Sequence, residues 1–320
     1  MIKVGITGCD NLRGAELVRL LINHPDVELL WVKTSSDAEL VPLAQVVPGI
    51  IGESDLMVND PDAPTEVDVV FTCGNRYQTQ RVLDSIDLAT GTPRVIDLSG
   101  CHNLDHGIDK LWKYGLSEMQ RRVLVHDAQL VTVPGKCAAA SLIALMPMAR
   151  NLLLNSQATL HFALGALDYD DIPKNPNGTI TDEWLQAQRQ EIEMALAQCQ
   201  SSFNQPVTLT VTPIAERRTL AVAARFKCGV DGEMVRQLYE QYYEDHNFVY
   251  LVDRPIVTAD VENTNKCLIR IEKDERNGLL TVHAVMDAML KACAGNAVHC
   301  MNLMFSLHEK VGLTLKGTGC

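Results

Sequence analysis

The stretch GITGCDNLRG, Gly5–Gly14, decides how the fold is read. Ahead of it, Ile2–Thr7 is a short apolar strand. Behind it, Gly14–Ile22 carries apolar residues at helical spacing and stops near Pro25. A glycine-bearing turn between a strand and a helix is the context a dinucleotide fingerprint needs. In this reading Gly5 permits the tight turn, Gly8 allows close backbone approach to a pyrophosphate, and Gly14 lets the helix pack closely. Asn11 stands where a third loop glycine is expected, and asparagine tolerates left-handed backbone. Asn11 and Leu12 therefore join Gly5 and Gly8 as cofactor-loop candidates. The plainer alternative is any strand–turn–helix that happens to contain glycines.

Outward from this loop the first third alternates strand and helix. Val27–Val32 reads as a strand, and Val67–Cys73 as a near-continuous apolar strand buried on both faces. Gln78–Leu88 reads as a helix, and Arg94–Leu98 and Gln129–Val133 as further strands. Such alternation predicts an α/β, Rossmann-type doubly wound parallel sheet. The second strand runs into WVKTSS. An acid there would bond the ribose hydroxyls of NAD, whereas Lys33, Thr34 and Ser35, with Ser36, suit a 2′-phosphate and point to NADP. A polar loop after a strand is the ordinary alternative.

The middle of the chain differs. Ala158–Ala166 is strand-like, and DYDDIPKNPNG (Asp168–Gly178) is an acidic loop. Thr181 caps a helix that carries Asp182 and Glu183 in its first turn and Trp184, Gln188, Ile192, Ala195 and Cys199 at helical spacing. Val207, Leu209 and Val211 alternate with threonines. Leu220–Phe226, Cys267–Ile271 and Leu279–Val285 are strands, the last two joined by the turn Asn277-Gly278. This predicts a central α+β domain with a mostly antiparallel sheet, after which Met289–Phe305 returns to helix.

A net charge of −12 over 320 residues argues against nucleic-acid binding through the phosphate backbone. No apolar run reaches membrane-spanning length, and the opening MIKVGITGCD lacks a signal-peptide pattern. The ten cysteines are scattered singly, with no C-x-x-C pair. They read as reduced thiols, most of them small core residues, and the expected location is cytoplasmic.

Three further stretches carry candidate chemistry. In VPGKCAA, Lys136 and Cys137 sit where a Pro134-Gly135 turn becomes a helix. A thiol there is made more acidic by the helix dipole and an adjacent lysine, although cysteine is as readily a small core residue. GCHNLDHG groups Cys101, His102 and His106, but the spacing matches no zinc signature, so no metal is expected. Asp168, Asp170 and Asp171 read as a solvated acidic loop.

From the opening GITGCDNLRGAELVRLLINHPDVEL, through VDVVFTC, VIDLSG and KYGLSEM, to DAMLKACAGNAVHCMNLMFSL (Asp287–Leu307), the order of segments resembles the N-acetyl-γ-glutamyl-phosphate reductases, relatives of aspartate-semialdehyde dehydrogenase. The resemblance runs nearly end to end. It implies a Rossmann-type domain over 1–136 with 288–320, a catalytic and oligomerising domain over 137–287, and a homo-oligomer. It also implies NADP, an anionic small-molecule ligand and arginine biosynthesis. Asn296, in the closing segment, is placed with the cofactor. Members of the family displace phosphate from an acyl phosphate with a cysteine thiolate and reduce the thioester to an aldehyde, with a histidine as acid/base.

Against the family's N-P-G-C-Y-P-T, this chain has V-P-G-K-C-A-A. Ungapped, Lys136 occupies the nucleophile's place and Cys137 comes one residue late, a helical rotation of about 100°. Misplacement of about 1 Å can cost a hundredfold in rate. In QAQRQEI the family's histidines fall on Gln186 and Gln188, and glutamine shuttles no proton near neutrality. Arg217 or Arg218 lies near the family's anion-holding arginine. Three expectations follow. In the first, the chain is an active reductase using Cys137. In the second, it is an inactive or regulatory binding relative on the same scaffold. In the third, Lys136 forms a Schiff base.

Overall fold

The structure, a computed structural model, describes residues 1–36, 39–87, 90–107 and 110–317. Two expectations reach outside these residues: the helix end at Leu88 and the terminal Cys320. The described chain forms two compact units, 1–134 with 293–314 and 135–292 with 315–317. The sequence reading drew the divisions at 136/137 and 287/288.

In the first unit the strands are β1 (Ile2–Thr7), β2 (Val27–Lys33), β3 (Val41–Pro42), β4 (Met57–Val58), β5 (Val69–Thr72), β6 (Arg94–Asp97), β7 (Trp112–Tyr114) and β8 (Leu130–Thr132). They form one sheet in the order β3-β4-β2-β1-β5-β6-β8-β7, parallel throughout except between β3 and β4. The helices are α1 (Leu12–Leu21), α2 (Leu43–Val46), α3 (Arg76–Asp84) and α4 (Ser117–His126). The doubly wound parallel sheet is thus present. α3 begins two residues earlier than its apolar spacing predicts because Asn75 forms a capping box. Gln78 N donates to the Asn75 side chain (3.1 Å) and Asn75 N to the Gln78 side chain (3.2 Å). β7 and α4 went unread, being short or mixed in pattern.

The candidate metal histidines pack against rings instead. His102 stacks on Trp112 with centroids 4.2 Å apart, and His106 lies 3.9 Å from Tyr114. Burial pushes the His106 imidazole down to about 4.

The second unit opens with α5 (Lys136–Arg150) and continues through β9 (Ala158–Leu164), α6 (Ala166–Tyr169), α7 (Asp182–Cys199), β10 (Val207–Pro213), β11 (Thr219–Lys227), α8 (Gly232–Tyr243), β12 (Val249–Leu251), β13 (Cys267–Asp274) and β14 (Leu279–Asp287). Its sheet has the order β10-β9-β11-β14-β13-β12. The three inner pairings are antiparallel and the two outer ones parallel. Gly278, at a φ of 69°, closes the β13–β14 hairpin as its Asn-Gly turn predicts.

α5 packs against β11, β14, α7 and α8. Every residue from Cys137 to Ala149 is buried, as a helix with a single interior hydroxyl allows. That hydroxyl, Ser141 Oγ, donates to the Cys137 carbonyl (2.7 Å). Pro147 has no N–H to give the Ile143 carbonyl one turn back. The Tyr243 hydroxyl of α8 donates to that carbonyl, and Tyr239 to the next, Ala144.

The closing helix is shorter than Met289–Phe305. Cys293 leaves helical geometry (φ −150°, ψ −107°), and α9 (Gly295–Met304) starts after it, back in the first unit. There its polar residues find partners. His299 Nε2 is 2.7 Å from Glu309 Oε2, its Nδ1 is 3.1 Å from Ser117 Oγ, and Asn302 Nδ2 donates to the Glu309 and Val311 carbonyls.

Two outcomes follow. Tyr243→Phe leaves the Ile143 carbonyl unpaired and lowers stability by about 1–3 kcal/mol in urea denaturation. His106 is neutral when folded and titrates near its ordinary 6.5 when unfolded. The unfolded chain therefore binds the extra proton, so His106's contribution is intact above about 6.5 and falls as the pH drops towards 4. His106→Phe flattens the loss of urea midpoint between about pH 7 and about pH 5.

Candidate functional site

In the first unit the loop between β1 and α1 meets the loop after β5. Gly8 has a φ of 75°, and a Cβ there would lie 2.6 Å from Gly74 N. A Cβ on Gly14 would lie 2.1 Å from the Gly8 carbonyl oxygen, so Gly14 allows the close helix packing expected of it, while Gly8 makes room for the Gly74 backbone. Gly5 has a different role. It lies within β1, and a Cβ there would sit 2.1 Å from the Trp31 ring, so its missing side chain makes room for the indole rather than for a turn. Asn11 is not left-handed either. It is extended (φ −103°) and serves as the N-cap of α1, its Oδ1 accepting from Arg13 N (3.0 Å) and Gly14 N (3.1 Å), its Nδ2 donating to the Cys73 carbonyl (2.8 Å). Leu12 opens α1 with an exposed side chain.

A cleft of about 570 Å³ is lined by Thr7, Trp31, Lys33, Thr34, Gln78 and Arg81, among others. Thr7 Oγ1, at the end of β1, is buried there with no hydrogen-bond partner among the described residues. Lys33 is exposed, its ammonium 5.2 Å from the centre of the Trp31 ring. Thr34 and Ser35 are engaged internally, Thr34 with Asn59 and Ser36, Ser35 with Asp10. Asn296 is fully buried. Its Nδ2 donates to the Gly115 carbonyl (2.6 Å) and its Oδ1 has no partner among the described residues. The left-handed turn at Gly8 and the Thr7 hydroxyl, unpartnered among the described residues beside a cleft, fit a bound dinucleotide: the Gly8 turn would face the pyrophosphate, and the cleft would take the adenosine half.

In the second unit the first turn of α5 is built by three neighbours. Gly135 N donates to Glu191 Oε1 of α7 (2.8 Å). The Lys136 ammonium pairs with Asp168 of α6 and lies 3.2 Å from Met289 Sδ. Cys137, one position on, is 4% exposed. Burial, then the charges of Asp168 and Glu191, push its thiol well above the ordinary range, and Lys136 alone opposes them. The expectation of an acidic thiol is overturned. The dipole and one lysine are weaker than desolvation plus two carboxylates.

Asp168 is also not the solvated loop residue its neighbourhood suggests. A Cβ on Gly165 would lie 2.5 Å from the Glu216 carbonyl oxygen, so the α6 segment sits tightly against Glu216 and Arg217 and carries Asp168 to Lys136. Arg217 points to solvent, while Arg218 forms a two-bond pair with the buried Asp287 (2.9 and 3.2 Å). Gln188 shares its helical face with Glu191, three residues on, whereas Gln186 is exposed. The sequence singles out Asp168 but reads it as solvated, and it gives no notice of Asp10, Glu191 and Asp287 as site residues; of these three, only Glu191 leaves a signal, its helical spacing from Gln188.

Two domain descriptions match the chain: "Semialdehyde dehydrogenase, NAD binding domain" over residues 3–126 and "Semialdehyde dehydrogenase, dimerisation domain" over residues 187–288. The N-acetyl-gamma-glutamyl-phosphate reductase of Phocaeicola vulgatus is 35% identical, with 99% of each chain covered, and that of Parabacteroides distasonis is 32% identical with the same coverage. Among solved structures, aspartate semialdehyde dehydrogenase II of Vibrio cholerae superposes with a TM-score of 0.71 at 13% identity, covering 96% of this chain and 98% of that one. The Candida albicans aspartate semialdehyde dehydrogenase, solved with NADP, superposes with a TM-score of 0.67 at 14% identity, covering 95% and 98%.

Iodoacetamide applied to the native protein modifies the half-buried Cys101 and leaves Cys137 untouched, even as the pH rises through the ordinary thiol range. Peptide mapping checks this, and labelling of Cys137 ahead of Cys101 contradicts the buried-thiol geometry.

Proposed function

This chain belongs to the semialdehyde dehydrogenase family, and on that premise we propose that it binds a nicotinamide dinucleotide and an anionic small molecule while the thioester step of its reductase relatives is closed to it. It then serves as a binding or regulatory relative, assembled as a homo-oligomer. One observation carries this reading. The first turn of α5 buries the Cys137 thiol and presents in its place an ammonium paired with Asp168. A thiol held protonated at neutral pH is a poor nucleophile, and an ammonium is none. The resemblance puts the acid/base histidine of the reductases at Gln186 or Gln188, and neither residue replaces it. The same ion pair speaks against a Schiff base, because an ammonium against a carboxylate is not the neutral amine an imine requires. The match to a dimerisation domain supports the oligomer.

Identity of 35% over 99% of the chain favours a second reading, that it is itself an N-acetyl-γ-glutamyl-phosphate reductase with Cys137 as nucleophile. The two separate in the reverse assay, in which N-acetyl-glutamate semialdehyde and phosphate drive dinucleotide reduction followed by absorbance. The expected result is no phosphate-dependent turnover in the parent, with dinucleotide binding retained by fluorescence, and a gain of about tenfold or more over background when Lys136→Cys is combined with Gln186→His and Gln188→His. Parent turnover abolished by Cys137→Ser establishes the second reading instead.

A further inference from the structure

Asp10, in the loop between β1 and α1, reaches across to the end of β2. Its Oδ1 accepts from Ser35 N (2.7 Å) and from Ser35 Oγ (2.8 Å). Beside it, Thr34 N donates to Asn59 Oδ1 (3.1 Å) and Thr34 Oγ1 to the Ser36 carbonyl (2.6 Å), while Asn59 Nδ2 donates to Thr34 Oγ1 (2.9 Å). Asn59 adopts a left-handed φ of 60° in this arrangement. The four Thr34 and Ser35 donors that the sequence offers to a 2′-phosphate are thus all engaged within the chain, and two of them hold the Asp10 carboxylate.

We propose that Asp10 sets the cofactor choice, acting as an internal anion that excludes the 2′-phosphate, so that this chain takes NAD(H) in preference to NADP(H). The inference rests on the dinucleotide reading above. A phosphate at this position meets like charge from Asp10, and it has to break both Ser35 bonds to gain donors of its own. A ribose hydroxyl meets neither obstacle. It is a donor, and because both Ser35 bonds fall on Oδ1, Oδ2 is placed to accept from it. Lys33 and Arg81 are the cations of the cleft that a phosphate would draw on, but the Lys33 ammonium lies over the Trp31 ring and the cleft also carries the carboxylate of Asp60. The balance of donors and charge therefore favours the uncharged ribose edge.

The test titrates the full chain with NADH and NADPH, following nicotinamide fluorescence. Competition with ADP and with its 2′-phosphorylated form then isolates the adenosine half. NADH binds about tenfold tighter than NADPH, and Asp10→Ser brings the two to within about twofold of each other, chiefly by tightening NADPH. Asp10 is exposed, so the substitution leaves the core untouched. Ser35→Ala is the companion variant. It removes one Asp10 bond and keeps the charge, and the preference for NADH persists. A parent that prefers NADPH, or a ratio unmoved by Asp10→Ser, overturns the role of Asp10 and leaves the dinucleotide reading standing. Failure of both dinucleotides to bind parent and variant overturns that reading, and this inference with it.

Discussion

The rotational setting of α5 is the constraint on which the second unit depends. The helix is buried along its whole interior, so it cannot turn without moving side chains into its neighbours. Two further bonds hold it. Tyr243 occupies the carbonyl that Pro147 strands near one end, and Glu191 takes the Gly135 amide at the other. With the helix so held, Cys137 is directed into the core and Lys136 towards Asp168 and Met289. The chemistry of the first turn is therefore a consequence of packing. A one-residue difference between lysine and cysteine decides which group is reachable, because the helix has no freedom to compensate.

The carboxylates around that turn make a consistent arrangement. Asp168 balances Lys136, and Asp287 balances Arg218 while also accepting from the backbone of Asn263, Met289 and Leu290. Asp287 thus ends β14 and starts the turn that follows. A buried charge that satisfies backbone donors is tolerated where an unpaired one is not. The first unit behaves similarly at the loop between β1 and α1, where Asn11 accepts from the first amides of α1 and Asp10 accepts from Ser35 beyond the end of β2.

The two sheets and their layers can be read from the residue pattern alone. Apolar runs such as Val69–Thr72 and alternating ones such as Val207–Val211 report which faces are buried, because burial is enforced residue by residue along a strand. The Asn-Gly hairpin and the close packing at Gly14 were legible for the same local reason. The short β7 and the break at Cys293 were not, since three residues carry no usable period and the break falls inside a mostly apolar stretch. The charge and reach of the site emerge only once the chain is folded. Whether Cys137 is acidic, whether Asp168 is solvated, and whether Ser35 is available to a ligand depend on groups 25 or more residues away in the chain. Desolvation and pairing are properties of neighbours in space, and no window of sequence contains them.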